Sequence, residues 1–208
     1  NERKSKISNI FKISDSLPKQ LSKNLGFKLT NAQQKSVDEI NTDLSSNHPM
    51  LRLLQGDVGS GKTIVAVFAC LQAAENGFQT AIMAPTEILA TQHLQGFASY
   101  LAPLGVEVAF LTGSQNAAER AEQLETIESG NAQVVIGTHA LFQESVIFNK
   151  LGLVVIDEQH KFGVHQRLSL AQKAHNTPHQ LVMTATPIPR SLTMSAYADL
   201  DSSIIDEL

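Results

Sequence analysis

The chain alternates short apolar runs with longer segments of helical periodicity. The runs are built from Val, Ile and Leu without regular in/out alternation, which is typical of strands buried on both faces. We therefore predict an α/β fold with a mostly parallel sheet and helices on both faces. The predicted strands cover residues 50–55, 80–84, 106–111, 133–136, 151–156 and 180–183.

Helices are predicted between these strands. Thr30 or Asn31 is a suitable N-cap, and Gly77 and Gly130 stand where two helices should end. The predicted helices cover residues 31–44, 63–75, 87–101, 117–129 and 166–173.

The two ends of the chain differ from its body. Residues 1–30 carry seven Lys and Arg against two acidic residues, whereas the remainder is acidic. We predict that residues 1–26 form a basic linker or helical arm from an upstream domain, that 27–200 form the main domain, and that 201–208 begin a connection. The basic stretch is either a DNA-facing arm or a solvated linker. The linker is favoured, because runs of charged residues are usually only solvated.

Composition limits the class of protein. Hydrophobic residues make up 42% of 208 residues, which is ample for a core. The single cysteine, Cys70, falls in a predicted helix, so no disulfide within the chain is possible and a reducing cytoplasm is expected. No apolar run approaches the roughly 18 residues of a membrane span, and no signal peptide is evident.

A glycine-rich loop lies between the first strand and the following helix. It fits the pattern G-x-x-x-x-G-K-[ST] of a phosphate-binding loop. Glycine lets the backbone approach a phosphate closely, and a helix N-terminus attracts negative charge. Lys62 is expected to reach the β- and γ-phosphates and Thr63 to bind Mg²⁺. The loop consists of Gly56, Asp57, Val58, Gly59, Ser60, Gly61, Lys62 and Thr63.

Two acids follow the strand at 151–156. Ligands of open α/β sheets bind at the carboxyl ends of the strands, where the loop also lies. Asp157 is therefore expected to hold Mg²⁺, and Glu158 to orient or deprotonate a water. The alternative is an acidic, solvated strand end. His160 and His165 lack the spacing of a zinc site.

With these residues in place, the chain resembles the first motor lobe of superfamily-two DNA helicases, most closely the RecG-type family. An ordered series of motifs carries the resemblance, and it implies a RecA-like P-loop NTPase lobe. Transcription-repair coupling factors share most of the series but usually have Glu at the position of Gln159. Lys161 departs from the usual Arg. The matching segments are residues 29–33, 56–63, 84–90, 112–114, 137–141, 157–164 (DEQHKFGV) and 184–190.

The resemblance implies a role for each motif. Gln33 would read adenine, so that ATP with Mg²⁺ is the cofactor. His160, Thr184 and Thr186 would couple the γ-phosphate state to DNA. The implied DNA contacts are sequence-blind and involve Thr86, Thr138, His139 and Arg190. For the threonines the competing interpretation is a helix cap after a strand, and Arg190 could instead contact the other lobe or water.

The resemblance also implies partners. These are branched or forked DNA, such as stalled forks and Holliday junctions in recombination and repair, and two further domains: an upstream wedge and a downstream second motor lobe. The second lobe carries an arginine finger, worth about 10³ to 10⁵ in rate in related phosphoryl transfers. The chain alone should bind ATP–Mg²⁺ weakly and barely hydrolyse it. The rival interpretations are a double-stranded DNA translocase and a non-catalytic nucleotide-gated scaffold.

Overall fold

A computed structural model describes residues 6–157, 169–170, 172–187 and 200–207. Within these residues, seven strands form one sheet in the order β3-β4-β2-β5-β6-β1-β7, and every neighbouring pair is parallel. The strands are β1 (Leu51–Gly56), β2 (Gln79–Met83), β3 (Val108–Leu111), β4 (Val134–Gly137), β5 (Leu151–Asp157), β6 (His179–Thr184) and β7 (Asp201–Ile205). The predicted parallel α/β fold is confirmed.

The helices cover both faces of this sheet. One hydrophobic cluster packs the sheet against Val67, Phe97 and their helices, and a second packs the opposite face against Ile127 and Leu141. Successive strand residues alternate between the two clusters, which explains why the runs are apolar throughout. The helices are α1 (Ser16–Asn24), α2 (Asn31–Leu44), α3 (Lys62–Glu75), α4 (Glu87–Leu101) and α5 (Ala117–Ser129), with 3₁₀ turns at Ala102–Leu104 and His139–Phe142.

Local sequence signals set most helix ends. Thr30 forms a capping box with Gln33 at the start of α2, and Asn116 forms one with Glu119 at the start of α5. Gly130 takes a left-handed conformation after α5, with φ of 81°. The bounds of α2, α4 and α5 agree with the predicted ranges.

The basic N-terminal stretch is part of the folded body from residue 6 onward, so the solvated-linker interpretation is wrong there. Phe11 and Leu21 are buried in the core, and the Phe11 ring stacks on Phe78 with centroids 5.1 Å apart. The Phe11 amide also donates to the Leu44 carbonyl. Two apolar residues in a polar stretch are enough to anchor it, because each fills a place in the core.

The seventh strand was not predicted from the sequence. Residues 201–205 were assigned to a connecting segment, but they pair in parallel with β1 along the edge of the sheet. Arg52, on β1, fixes this edge: it donates to the Asp43 carboxylate on α2 and to the Ser203 hydroxyl on β7. Polar contacts of Arg52 with α2 and β7, rather than a run of apolar residues, hold this strand in place. The apolar pattern from which a strand is predicted is therefore missing here.

Two further boundaries differ from the prediction. The third strand begins at Val108, because the Val106 amide instead closes a turn by donating to the Leu101 carbonyl. Half of the predicted helix at 166–173 lies outside the described residues; in the other half, Ser169 and Leu170 are helical and Gln172 and Lys173 form a turn. Among the helices that the structure describes, none has the length and apolarity needed to cross a bilayer.

Candidate functional site

The carboxyl edge of the sheet brings the phosphate loop close to Asp157. The loop leaves the end of β1, and Asp157 is the last residue of β5, with only β6 between them. Strands in a sheet lie about 4.8 Å apart, so the two strand ends are about 10 Å apart. The two halves of the predicted site therefore lie on the same rim of the molecule.

The loop has the backbone that a phosphate cradle requires. Gly59 and Gly61 have φ of 84° and 85°, which L-residues rarely adopt. Ser60 Oγ is buried and has no hydrogen-bond partner among the described residues. A Cβ added at Gly56 would lie 2.3 Å from this oxygen. An orphaned hydroxyl in a curled loop at a helix N-terminus fits a phosphate ligand.

Lys62 closes the loop in this structure. Its ammonium donates to the Gly56 carbonyl and, at 3.0 Å, to the Asp57 carbonyl. Desolvation lowers the pKa of Lys62, while the charges of Asp157 and Asp57 act in the opposite direction.

Asp157 is buried and is held by a histidine. Its Oδ2 lies 2.7 Å from His93 Nε2 on α4. A Cβ built at Gly96 of the same helix would lie 3.7 Å from the Thr63 methyl group. The Asp157 carboxylate and the Thr63 hydroxyl are hard oxygen donors, the type that Mg²⁺ prefers, and α4 contacts the first and lies beside the second.

Gln33 is fixed against the loop by both ends of its amide. Its Nε2 donates to the Ser60 carbonyl at 2.9 Å, and its Oε1 accepts from the Thr30 amide at 3.0 Å. One N–H and one lone pair of the amide are left after these two bonds, and adenine offers a complementary acceptor and donor. The adenine-reading role that the resemblance implies for Gln33 stays a prediction.

The candidate DNA contacts lie after the ends of β2 and β4. Thr86 caps α4, accepting from the Leu89 amide, so the cap interpretation holds for this residue. Glu87 accepts from the Ser114 amide and thereby links two of the motifs. Thr138 is buried, with 5% of its surface exposed, whereas the adjacent His139 is exposed. Direct contact at this position would therefore come from His139.

Thr184 and Thr186 form a tight turn at the end of β6. The Thr184 hydroxyl is buried and accepts from the Thr186 amide at 3.1 Å. This turn lies between the loop strand β1 and Asp157 on β5, as a coupling element requires. Glu158, His160 and Arg190, also singled out from the sequence, lie outside the described residues.

Sequence reasoning missed His93. It lies on the buried stripe of α4 formed with Ala90, Phe97 and Leu101, which are fully buried. A polar side chain at helical spacing within an apolar stripe is a signal for function, because it requires a buried partner. The stripe was readable in the sequence, but the identity of the partner was not.

Comparison with known families is consistent with this geometry. A family model described as DEAD/DEAH box helicase matches residues 30–195. The ATP-dependent DNA helicase RecG of Escherichia coli (strain K12) is 57% identical over 197 residues, which are 93% of this chain and 28% of that protein. RecG of Haemophilus influenzae is 58% identical over 187 residues, covering 88% of this chain and 27% of that protein. The chain thus spans little more than a quarter of the length of these relatives.

Solved structures of helicases are also similar to this chain. A structure of RecG bound to a three-way DNA junction matches the whole chain with a TM-score of 0.88 and 45% identity, and the chain covers 28% of that protein. A DUF1998 helicase, MrfA, matches 94% of the chain with a TM-score of 0.70 at 19% identity and covers 33% of that protein. The second match supports the fold alone.

Proposed function

The chain belongs to the DEAD/DEAH box helicase family, and from this premise we propose that it is the ATP-binding motor lobe of an ATP-dependent DNA helicase acting on branched DNA. One observation carries the proposal. The phosphate loop and Asp157 share the carboxyl rim of the sheet, where only β6 separates their two strands. The similarity to RecG proteins supports the choice of DNA as the partner.

We assign nucleotide binding to the loop and the rim. The free N–H groups at the start of α3 and the Lys62 ammonium would bind the phosphates. The Thr63 hydroxyl and the Asp157 carboxylate would hold Mg²⁺, which neutralises charge on the phosphates when bound. Gln33 would select adenine. Glu158 would orient or deprotonate the attacking water.

Lys62 must release its present partners when a nucleotide binds. Its bonds to the Gly56 and Asp57 carbonyls keep a cation in the space where a phosphate would enter. Exchanging neutral carbonyl acceptors for phosphate oxygens gives stronger, charge-assisted bonds.

We assign the DNA-facing role to the ends of β2 and β4. The α4 N-terminus at Thr86, exposed His139 and Arg190 would contact the DNA backbone without reading sequence. Thr184, Thr186 and His160 would link the γ-phosphate state to that surface. A wedge domain and a second motor lobe of a longer chain would complete the machine, and Cys70 fits a reducing cytoplasm.

The test is nucleotide binding by this chain, measured by titration calorimetry with ATP and Mg²⁺. We expect weak binding by the wild type and none by Lys62→Ala, because the phosphate contacts lose their only side-chain cation in the loop. Lys35→Ala, an exposed lysine on α2, is the matched control and should bind as the wild type does. Unaltered binding by Lys62→Ala would refute the assignment of the loop.

The DNA part of the proposal is tested separately in a full-length helicase containing this lobe. A three-way junction should stimulate ATP hydrolysis more than linear duplex DNA of equal length. Equal stimulation by both would favour a double-stranded DNA translocase, and no stimulation by either would favour a nucleotide-gated scaffold.

A further inference from the structure

Helix α4 connects two parts of the proposed site that are far apart in sequence. His93 contacts Asp157, and a Cβ built at Gly96, three residues later on the same face, would lie 3.7 Å from the Thr63 methyl group. Asp157 and Thr63 are the two proposed Mg²⁺ ligands. One helical turn of α4 therefore contacts Asp157 and lies beside Thr63.

The hydrogen bond between His93 and Asp157 has a defined direction and is shielded from water. The carboxylate, when ionised, only accepts hydrogen bonds, so His93 Nε2–H is the donor to Oδ2 at 2.7 Å. The side chains are 15% and 9% exposed, so water competes little for this bond. The buried Phe97 ring flanks the imidazole with centroids 6.0 Å apart, one turn further along α4.

This bond restricts what Asp157 can do. It occupies one carboxylate oxygen and leaves Oδ1 for a cation or its water shell. Desolvation lowers the pKa of Lys62 and the charge of Asp157 opposes that change, so the two groups attract each other. Lys62 is instead bound to loop carbonyls while His93 holds Asp157. A carboxylate kept in place needs less reorganisation when a metal ion binds.

We propose that His93 is a positioning residue that holds the Asp157 carboxylate ready for magnesium, so that without it a higher magnesium concentration is needed to support nucleotide binding. This inference deepens the proposed function and rests on it. His93 touches Asp157 and takes no part in the phosphate cradle. The magnesium-dependent part of nucleotide binding should respond to His93, and the magnesium-free part should not.

The experiment titrates Mg²⁺ against this chain with a fluorescent ATP analogue, starting in EDTA. His93→Ala should leave the weak magnesium-free binding within about twofold of the wild type. It should raise the half-saturating Mg²⁺ concentration by roughly 10- to 100-fold, the usual effect of removing an outer partner of a metal ligand. His93→Gln, which can place an amide N–H at Asp157, should restore most of the difference.

Gln95→Ala is the control on the same helix, because Gln95 is exposed. Its Mg²⁺ titration and its urea midpoint should match those of the wild type. The urea midpoint of His93→Ala shows whether an altered titration comes from a damaged fold. A large loss of binding in EDTA together with a lowered midpoint would mean a structural role and would overturn the inference.

Two other results would also overturn it. One is an unchanged Mg²⁺ titration in His93→Ala, and the other is an equal defect in His93→Ala and His93→Gln, since a donor role predicts rescue. Failure of the proposed function gives a different pattern: the wild type would bind no nucleotide at any Mg²⁺ concentration, as expected of Lys62→Ala.

Discussion

At the scale of single residues, the two left-handed glycines of the loop make different demands. A Cβ at Gly59 would meet nothing within 4 Å, whereas one at Gly61 would lie 2.2 Å from Gln33 Nε2. We expect Gly59→Ala to lower the free energy of unfolding by about 1 kcal/mol through backbone strain alone. Gly61→Ala should cost roughly 1–2 kcal/mol more, because Gln33 loses its bond to the Ser60 carbonyl.

Urea denaturation measures both effects, and a double variant separates them. Combined with Gln33→Ala, the Gly61→Ala substitution should cost no more than Gly59→Ala does, since the clash has been removed. Strictly additive losses in the double variant would show that Gln33 does not press against the loop.

Functional residues were predictable from the sequence when their partners were close along the chain, and not when they were far apart. The loop is recognisable because its eight residues are consecutive and the backbone itself makes the site. His93 was missed because its partner, Asp157, is 64 residues away and only the sheet order brings them together. Thr138 shows the converse: the motif singles out both neighbours for DNA contact, but in the fold Thr138 is buried and only His139 is exposed.

At the scale of elements, Arg52 holds the edge strand β7 and helix α2 to β1. Its guanidinium lies 2.8 Å from Asp43 and 3.5 Å from Glu39, and it also donates to Ser203. Removing it leaves two carboxylates close together without their shared cation, and these side chains are 17% and 32% exposed. We expect Arg52→Ala to lower the free energy of unfolding by about 1–2 kcal/mol in urea denaturation, less than for a fully buried pair because water reaches both carboxylates.

Two further variants serve as comparisons for Arg52→Ala. Arg52→Lys should lie between the wild type and Arg52→Ala, because it keeps the charge but loses the planar fork. Lys19→Ala removes an ion pair with Asp15 that is well exposed, and should leave the midpoint unchanged. If Arg52→Ala denatured at the wild-type midpoint, the edge strand would have to be held by its backbone ladder alone.

Elements were predictable where burial was uniform. β5 is buried at every position, and its apolar run gave the strand directly. β7 is exposed at Asp201, Ser202 and Ile204, so neither a continuous run nor an apolar face of useful length marked it. The structure of β7 is decided by its pairing with β1 and by its contact with Arg52. Both interactions are between residues far apart in the sequence. The packing of the N-terminal segment was unpredictable for the same reason, since Phe11 finds its partners only in the folded molecule. Its helical character, predicted as a helical arm, is present as α1.

At the scale of the whole molecule, α3 is the centre of the packing, and Cys70 lies in its middle. Residues 64–73 are all buried, because α3 lies between the sheet, α2 and α4. The thiol can be reached by a reagent only if this packing opens. Its reactivity therefore reports on the cooperative unfolding of the entire lobe rather than on a local site.

Burial raises the pKa of the Cys70 thiol to about 12, from an ordinary value of 9.0. At pH 8 the native thiol should react with a disulfide reagent only through global unfolding, and the rate should rise with urea as steeply as the unfolding equilibrium does. Fast labelling that is insensitive to urea would mean that α3 opens locally.

The same shift gives a pH dependence with a definite sign. Above pH 9 the unfolded chain loses the thiol proton while the native chain keeps it, so the native state binds more protons and stability falls as pH rises toward 12. The difference in unfolding free energy between the wild type and Cys70→Ala should be flat below pH 8. Above pH 9 the wild type should lose stability relative to Cys70→Ala by up to about 1.4 kcal/mol per pH unit. Parallel curves for the two proteins would show that Cys70 ionises equally in both states, and α3 would then not be the closed centre of the lobe.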